Sequence, residues 1–226
     1  MTSGTTSFNL SISDVIEEAC DRAGVDLRTG FDLISARRRL NLMALEWANR
    51  GLNLWTVDQQ VLPLVAGTAT YTLPGDTVDV LDAVVRTYPG DMALQFDQVI
   101  PRISFTTYNA IANKLSQGRP IQYSVARQQA APVVTFWQVP DSSAPYQFVY
   151  FRMRRMQDVG TSLDNTEDVP FRFLPSLVAG LAYYTALAKN PERVDMLRAL
   201  YEQTFQEAAD EDRERATFRW VPRIGY

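Results

Sequence analysis

Apolar and polar positions alternate with two different periods along the chain: helical spacing up to about residue 50, strand-like runs over about 61–156, and helical spacing again from about 170. In the first stretch Ile12, Val15, Ile16, Ala19 and Ala23 fall on one helical face. Ser11 precedes them as an N-cap, and Gly24 follows where a left-handed stop belongs. A second helix is predicted from about Gly30 to Arg50, through Leu33, Leu40, Ala44 and Trp47, with Gly51 as its stop.

The pattern then changes. Val61, Leu62 and Leu64, a break at Gly67, then Ala69 and Tyr71 before Pro74-Gly75 read as strand, turn, strand. Further strands are predicted over Val78–Thr87, Leu94–Ile100, Pro120–Arg127, Pro132–Val139 and Pro145–Met156. One helix, Ser104–Leu115, interrupts them, with a serine cap and Phe105, Tyr108, Ile111 and Ala112 in phase. The polar turn Pro140–Ser143 between two β-rich runs predicts that the last two strands form an antiparallel hairpin.

Phe171–Asn190 is apolar on nearly every face and predicts a buried central helix. Asp168 and Pro170 supply an expected N-cap and first turn. Pro175 then predicts either a kink or a later start, because an interior proline removes a hydrogen bond and crowds the preceding turn. Leu177, Val178, Leu181, Tyr184 and Leu187 form the broad apolar surface, while Ala179, Gly180 and Ala182 permit close approach of a neighbour. Asn190-Pro191-Glu192 reads as a stop and restart, with asparagine capping a last helix to about Arg215. Val194, Leu197, Leu200, Tyr201, Phe205 and Ala208 point inward from that helix, antiparallel to the central one.

These elements predict an α+β fold: an antiparallel helical bundle from 1–55 and 165–215, an inserted antiparallel β-rich domain over 56–164, and an extended C-terminal arm over 216–226. At 226 residues the chain is long enough to bury a core without disulfide or metal support. Its single cysteine, Cys20, is expected to be small, buried and inert. The first residues lack the basic and apolar regions of a signal peptide, and no apolar run reaches about 20 residues, so synthesis in the cytosol and no membrane partner are expected.

Histidine is absent, which removes the commonest general base and metal ligand. A net charge of −4 argues against a protein that grips nucleic acid over a broad basic face, though not against one that lets it slide past. Asp164, Thr166 and Asp168 have calcium-loop spacing, but Val169 and Pro175 occupy the positions that need glycine and a bidentate glutamate. No metal and no cofactor are expected. The run Arg37-Arg38-Arg39 cannot share one helical face, since successive residues point about 100° apart, and solvated or salt-bridged side chains are expected. On the last strand Tyr146, Phe148, Tyr150, Arg152 and Arg154 share a face that begins aromatic and ends basic; arginines leaving the core to meet acidic loops are expected. The final residues alternate aromatic with basic through Phe218, Arg219, Trp220, Pro222, Arg223 and Tyr226. Two placements fit such a tail: a docking arm, or a segment folded back on its own domain.

EWANRGLNLWTVDQQ, Glu46–Gln60, followed by Val61–Arg86, resembles the head-to-tail adaptors of short-tailed bacteriophages, the tail tubular A or gatekeeper group. The resemblance resumes over IPRISFTTYNAI, GRPIQYSVARQ, PVVTFWQVPD, YQFVYFRMRRMQD and the stretch from Asp168 to Arg223, carried by the order and spacing of segments. It implies a virion structural protein, not an enzyme. By likeness, twelve subunits would form a ring between portal protein and tail nozzle, retain packaged DNA, and later form part of the ejection channel. The subunits would assemble in the host cytoplasm, and double-stranded DNA would pass without sequence-specific contact.

Within that frame the C-terminal arm is the candidate portal contact. Arg37, Arg38, Arg39, Glu207, Asp210, Glu211 and Glu214 are candidates for the subunit interface or the lumen, and Arg152, Arg154 and Arg155 for contact with the nozzle or a neighbour. The alternative within the class is another neck or head-completion component. A hydrolase using carboxylates such as Glu46 and Asp58 is the remote alternative, with no phosphate loop or nucleophile motif to support it.

Overall fold

The computed structural model describes residues 4, 8, 10–26, 30–51, 54–162 and 164–212. The chain forms two compact units, Met1–Trp55 with Met156–Tyr226, and Thr56–Arg155. The first is helical, built from α1 (Ile12–Ala23), α2 (Gly30–Arg50), α4 (Leu174–Lys189) and α5 (Val194–Glu211). The second holds β1 (Val57–Leu64), β2 (Thr70–Thr72), β3 (Thr77–Thr87), β4 (Phe96–Val99), α3 (Phe105–Asn109), β5 (Gln122–Ala126), β6 (Val133–Trp137) and β7 (Tyr146–Arg154).

In the helical unit, α1 starts with a reciprocal cap. The Asp14 amide donates to Ser11 Oγ at 3.2 Å, and the Ser11 amide donates to the Asp14 carboxylate at 3.0 Å. It stops at Gly24, whose φ of 67° only glycine adopts without strain. Helix α4 is enclosed on most sides: Leu177, Val178, Ala179, Gly180, Leu181 and Ala182 are consecutive buried residues. A Cβ at Gly180 would meet Met43 of α2 and come within 2.9 Å of the Tyr201 ring of α5, so glycine sets how closely three helices meet. Helices α4 and α5 run antiparallel, since Phe173 ahead of α4 meets Phe205 late in α5 at 6.0 Å while Gly180 meets Tyr201.

An aromatic cluster closes this core. Trp47 lies 5.6 Å from Phe173 and 5.4 Å from Phe205, and its indole N–H donates to the Tyr201 hydroxyl at 2.7 Å. Leu187 and Leu200, expected to face inward, are exposed.

Three local expectations are corrected here. Asp168 does not cap α4; its carboxylate accepts the Gln157 amide at 3.0 Å, and its carbonyl accepts the Trp55 indole N–H at 3.0 Å. A 3₁₀ turn, Phe171–Phe173, comes first, and α4 begins at Leu174. Pro175 therefore sits in the first turn, where no backbone donor is required, and the later start replaces the kink. Asn190 does not cap either: its side-chain amide donates to the Ala23 carbonyl at 2.8 Å, and a second 3₁₀ turn, Pro191–Arg193, leads into α5. Phe171–Lys189 is also long and apolar enough to cross a membrane, contrary to the expectation that no run would be, yet much of it is buried against its helical neighbours.

The polar connection after β7 falls in the helical unit, whose second segment begins at Met156. Val159 anchors it, fully buried, with its amide donating to Asn41 Oδ1 at 3.0 Å.

The β unit consists of a four-stranded sheet, β1-β7-β3-β4, and a three-stranded sheet, β2-β6-β5, antiparallel throughout. They share one core, in which Phe148 of β7 meets Phe136 of β6 at 4.9 Å and Tyr123 of β5 at 5.3 Å. The predicted β6–β7 hairpin does not form: β6 pairs with β2 and β5, and β7 with β1 and β3. Both strands carry a large apolar face, and placing them in opposite sheets lets those faces meet. The turn at Gly67 likewise passes the chain between sheets, so β1 and β2 do not pair. Helix α3 keeps its serine cap, with the Thr107 amide donating to Ser104 Oγ at 3.1 Å, but ends at Asn109 and not near Leu115. It buries no residue, and nothing rewards further turns.

Candidate assembly surfaces

The outer face of the four-stranded sheet is the first surface of interest. Val61 of β1 pairs with Val149 of β7, Val149 with Val84 of β3, and Val84 with Val99 of β4. One row of valines therefore crosses all four strands on the face opposite the core. The ends of the row are open, Val99 at 75% exposure and Val61 at 48%, while Val84 is half-buried and Val149 buried at 4%; Phe151 in the next row is 45% exposed. A shallow cavity of about 270 Å³ runs along this face, bordered by Arg86 and Asp97. These two are opposite one another in register and joined by two 2.8 Å hydrogen bonds. Those bonds hold the Asp97 carboxyl below its usual range. Antiparallel sheets with one wet face normally turn polar side chains outward, so the apolar row is a candidate contact surface.

A second surface lies on the helical unit. Phe8, Leu10, Phe171, Leu174, Pro175 and Val178 form the apolar part of a groove of about 850 Å³ along α1 and α4, with Asp14 and Glu18 on its rim. Arg22, also on the rim, is held by Glu18 at 2.8 Å. Beyond the Phe8–Phe171 ring contact at 6.3 Å, a smaller cavity of about 70 Å³ continues to Thr166, Glu167 and Val169. Glu167 Oε1 is buried without a hydrogen-bond partner. Burial, with the Asp168 charge beside it, pushes the Glu167 carboxyl up to about 7.

The residues singled out from sequence scatter around these surfaces. Arg37 donates to the Gly160 carbonyl, Arg38 is exposed, and Arg39 is half-buried, so the run fans around α2. Glu207, Asp210 and Glu211 are exposed on α5, where Gln203 and Gln206 donate to Glu207 and Asp210 at 3.0 and 3.1 Å. Arg152 is buried within the β unit. It donates to both Asp58 oxygens at 2.8 and 3.2 Å, to Asp76, and to Thr77 Oγ1 at 2.8 Å, and is not available to an outside partner. Burial alone would raise the Asp58 carboxyl, but hydrogen bonds from Arg152 and Gln60 outweigh it and hold the group low. Arg154 donates to the Arg155 carbonyl at 3.2 Å, and Arg155 is exposed. Glu214, Phe218, Arg219, Trp220, Pro222, Arg223 and Tyr226 lie outside the described residues.

Glu46 and Asp58, the carboxylates considered for hydrolysis, are both held in structural ion pairs. Glu46 accepts from Arg50 at 2.9 Å and from the Tyr184 hydroxyl, and Asp58 serves Arg152. They belong to different units. Among the described residues no three Cys, Asp or Glu side chains gather as metal ligands. Burial pushes the Cys20 thiol up, as expected of an inert core cysteine.

The valine row was missed in sequence, although β7 carried a signal. Its run FVYF is apolar at both parities, whereas a strand with one solvated face alternates.

The family model of the SU10 adaptor protein matches residues 10–223, and the chain belongs to that family, making it a bacteriophage structural adaptor of the virion. No curated protein matches the chain significantly.

Proposed function

We propose that this adaptor forms a twelvefold ring between the portal and the tail nozzle of a short-tailed phage. The ring retains packaged DNA in the head and then serves as part of the ejection channel. The observation that carries the reading is the valine row Val61–Val149–Val84–Val99, an apolar stripe across the outer sheet face that is exposed at Val61 and Val99, on a chain of the adaptor family. A ring built from head-to-tail contacts needs two different surfaces per subunit. The open sheet face supplies one, and the exposed acids of α5, Glu207, Asp210 and Glu211, favour a basic surface on the neighbour. The net charge of −4 keeps passing DNA from being held. The role is structural and not enzymatic, with assembly in the host cytoplasm and no membrane partner.

The C-terminal segment from Ala216 reaches the portal in this reading, with Phe218, Arg219, Trp220 and Arg223 as its contacts. Incubating the purified chain with portal-bearing heads and imaging them tests it. The intact chain should add a ring, and a chain lacking Thr217–Tyr226 should stay folded by circular dichroism but fail to bind. Equal binding by both would remove the arm from the portal interface.

A further inference from the structure

The groove on the helical unit has an apolar floor, a rim that carries Asp14 and the Glu18–Arg22 pair and, beyond it, a buried carboxylate oxygen that nothing satisfies. A buried, unpaired acceptor of this kind is costly and calls for a cation with donors to match. We propose that the C-terminal segment Arg213–Tyr226 of the same chain docks in this groove in the free subunit, with Arg219 inserted onto Glu167.

Composition, position and length each favour that occupant. The segment holds four arginines, Arg213, Arg215, Arg219 and Arg223, against one acid, Glu214, and the groove offers them the Glu167 oxygen, which lacks a partner, and Asp14 on the rim, Glu18 being already paired with Arg22. In an extended segment side chains alternate, so Arg219 can point into the groove while Phe218 and Trp220 lie on the other side of the backbone. Helix α5 delivers the chain to the right place. Arg172 donates to the Glu211 carbonyl at 2.9 Å and pairs with Asp212 at 3.5 Å, and it adjoins Phe171 of the groove. The seven residues from Asp212 to Arg219 span up to about 25 Å when extended, ample for a pocket that starts one residue from their anchor. Tethering raises the local concentration of the segment over that of any arm supplied by another subunit. The elevated Glu167 carboxyl describes the unpaired state; an arginine beside it favours the ionised form. Portal binding then has to displace the segment from its own subunit.

The test uses the full-length free subunit, without portal, so its outcome is separate from that of the ring assembly. Spin labels are placed at Asp21→Cys, on the exposed face of α1 near Glu18 and Arg22, and at Gly225→Cys, in a Cys20→Ala background. The expected result is a single narrow inter-label distance that survives dilution into unlabelled chain. Glu167→Gln, an isosteric change that removes the charge, should abolish the narrow component, and so should Arg219→Gln on the other side of the contact. A broad distribution in the parent chain overturns the docking. A narrow distance lost on dilution assigns the groove to a neighbour's arm and also overturns it. A narrow distance indifferent to both substitutions shows that the Glu167–Arg219 contact is wrong.

Discussion

The two units differ in how far their central element is buried. In the helical unit α4 is enclosed where it meets α2 and α5, down to a glycine at the closest approach, with the rings of Trp47, Phe173 and Phe205 packed at steep angles inside, and its first turns border the open groove. In the β unit the core takes one face of the four-stranded sheet, and the other carries a row of valines that is buried at Val149 and open to solvent at its ends, Val61 and Val99. Burial of that completeness makes a scaffold, whereas apolar surface left uncovered is held for a partner. Substitutions should therefore divide sharply between effects on folding and effects on assembly.

The largest effect is expected inside α4. Leu181 is fully buried, and Leu181→Ala should cost about 2–5 kcal/mol in denaturant unfolding; a loss under about 0.5 kcal/mol would show that α4 is not central. Arg152→Met comes next. It strands Asp58 and Asp76, but both carboxylates are a third to a half exposed, so the cost should be about 1–3 kcal/mol, below that of a fully buried pair. Thermal melting of the variant against the parent measures it.

A similar size is expected for the pH response of an Arg219→Gln chain, in which Glu167 stays unpaired at about 7. A carboxyl raised in the folded state binds more protons folded than unfolded, so stability falls as pH rises from its unfolded value near 4.5 to about 7. Unfolding at pH 5 and pH 8 should differ by about 1–3 kcal/mol in that chain, and the slope should disappear on adding Glu167→Gln. The smallest folding effect belongs to the open sheet face. Val99→Lys, at a 75% exposed position, should change stability by under about 0.5 kcal/mol yet abolish ring assembly on heads. Normal assembly by Val99→Lys would break the contrast between the units.

What the sequence made legible was local. Ser11 and Gly24 bound α1, and Gly30–Arg50 matches α2, because caps, stops and periodicity act within a few residues. The strands of the β unit were legible as elements but not as partners. Whether the chain turns back at Pro140–Ser143 or crosses to the opposite sheet depends on where Phe136 and Phe148 find each other, a contact no local pattern encodes. Arg152 shows the same limit: its place on one face with Tyr146, Phe148 and Tyr150 was visible, but Asp58 and Asp76, which consume it, are distant in sequence. The valine row and the Glu167 cavity depend on register and on packing between segments far apart, and only the doubled apolar parity of β7 hinted at the first.

A reconstruction of the virion neck tests the central claim most directly. It should show a closed ring of this chain between portal and nozzle, with the Val61–Val149–Val84–Val99 face of each subunit covered by its neighbour. A ring in which that face is turned to solvent, or a neck without a ring of this chain, would contradict it.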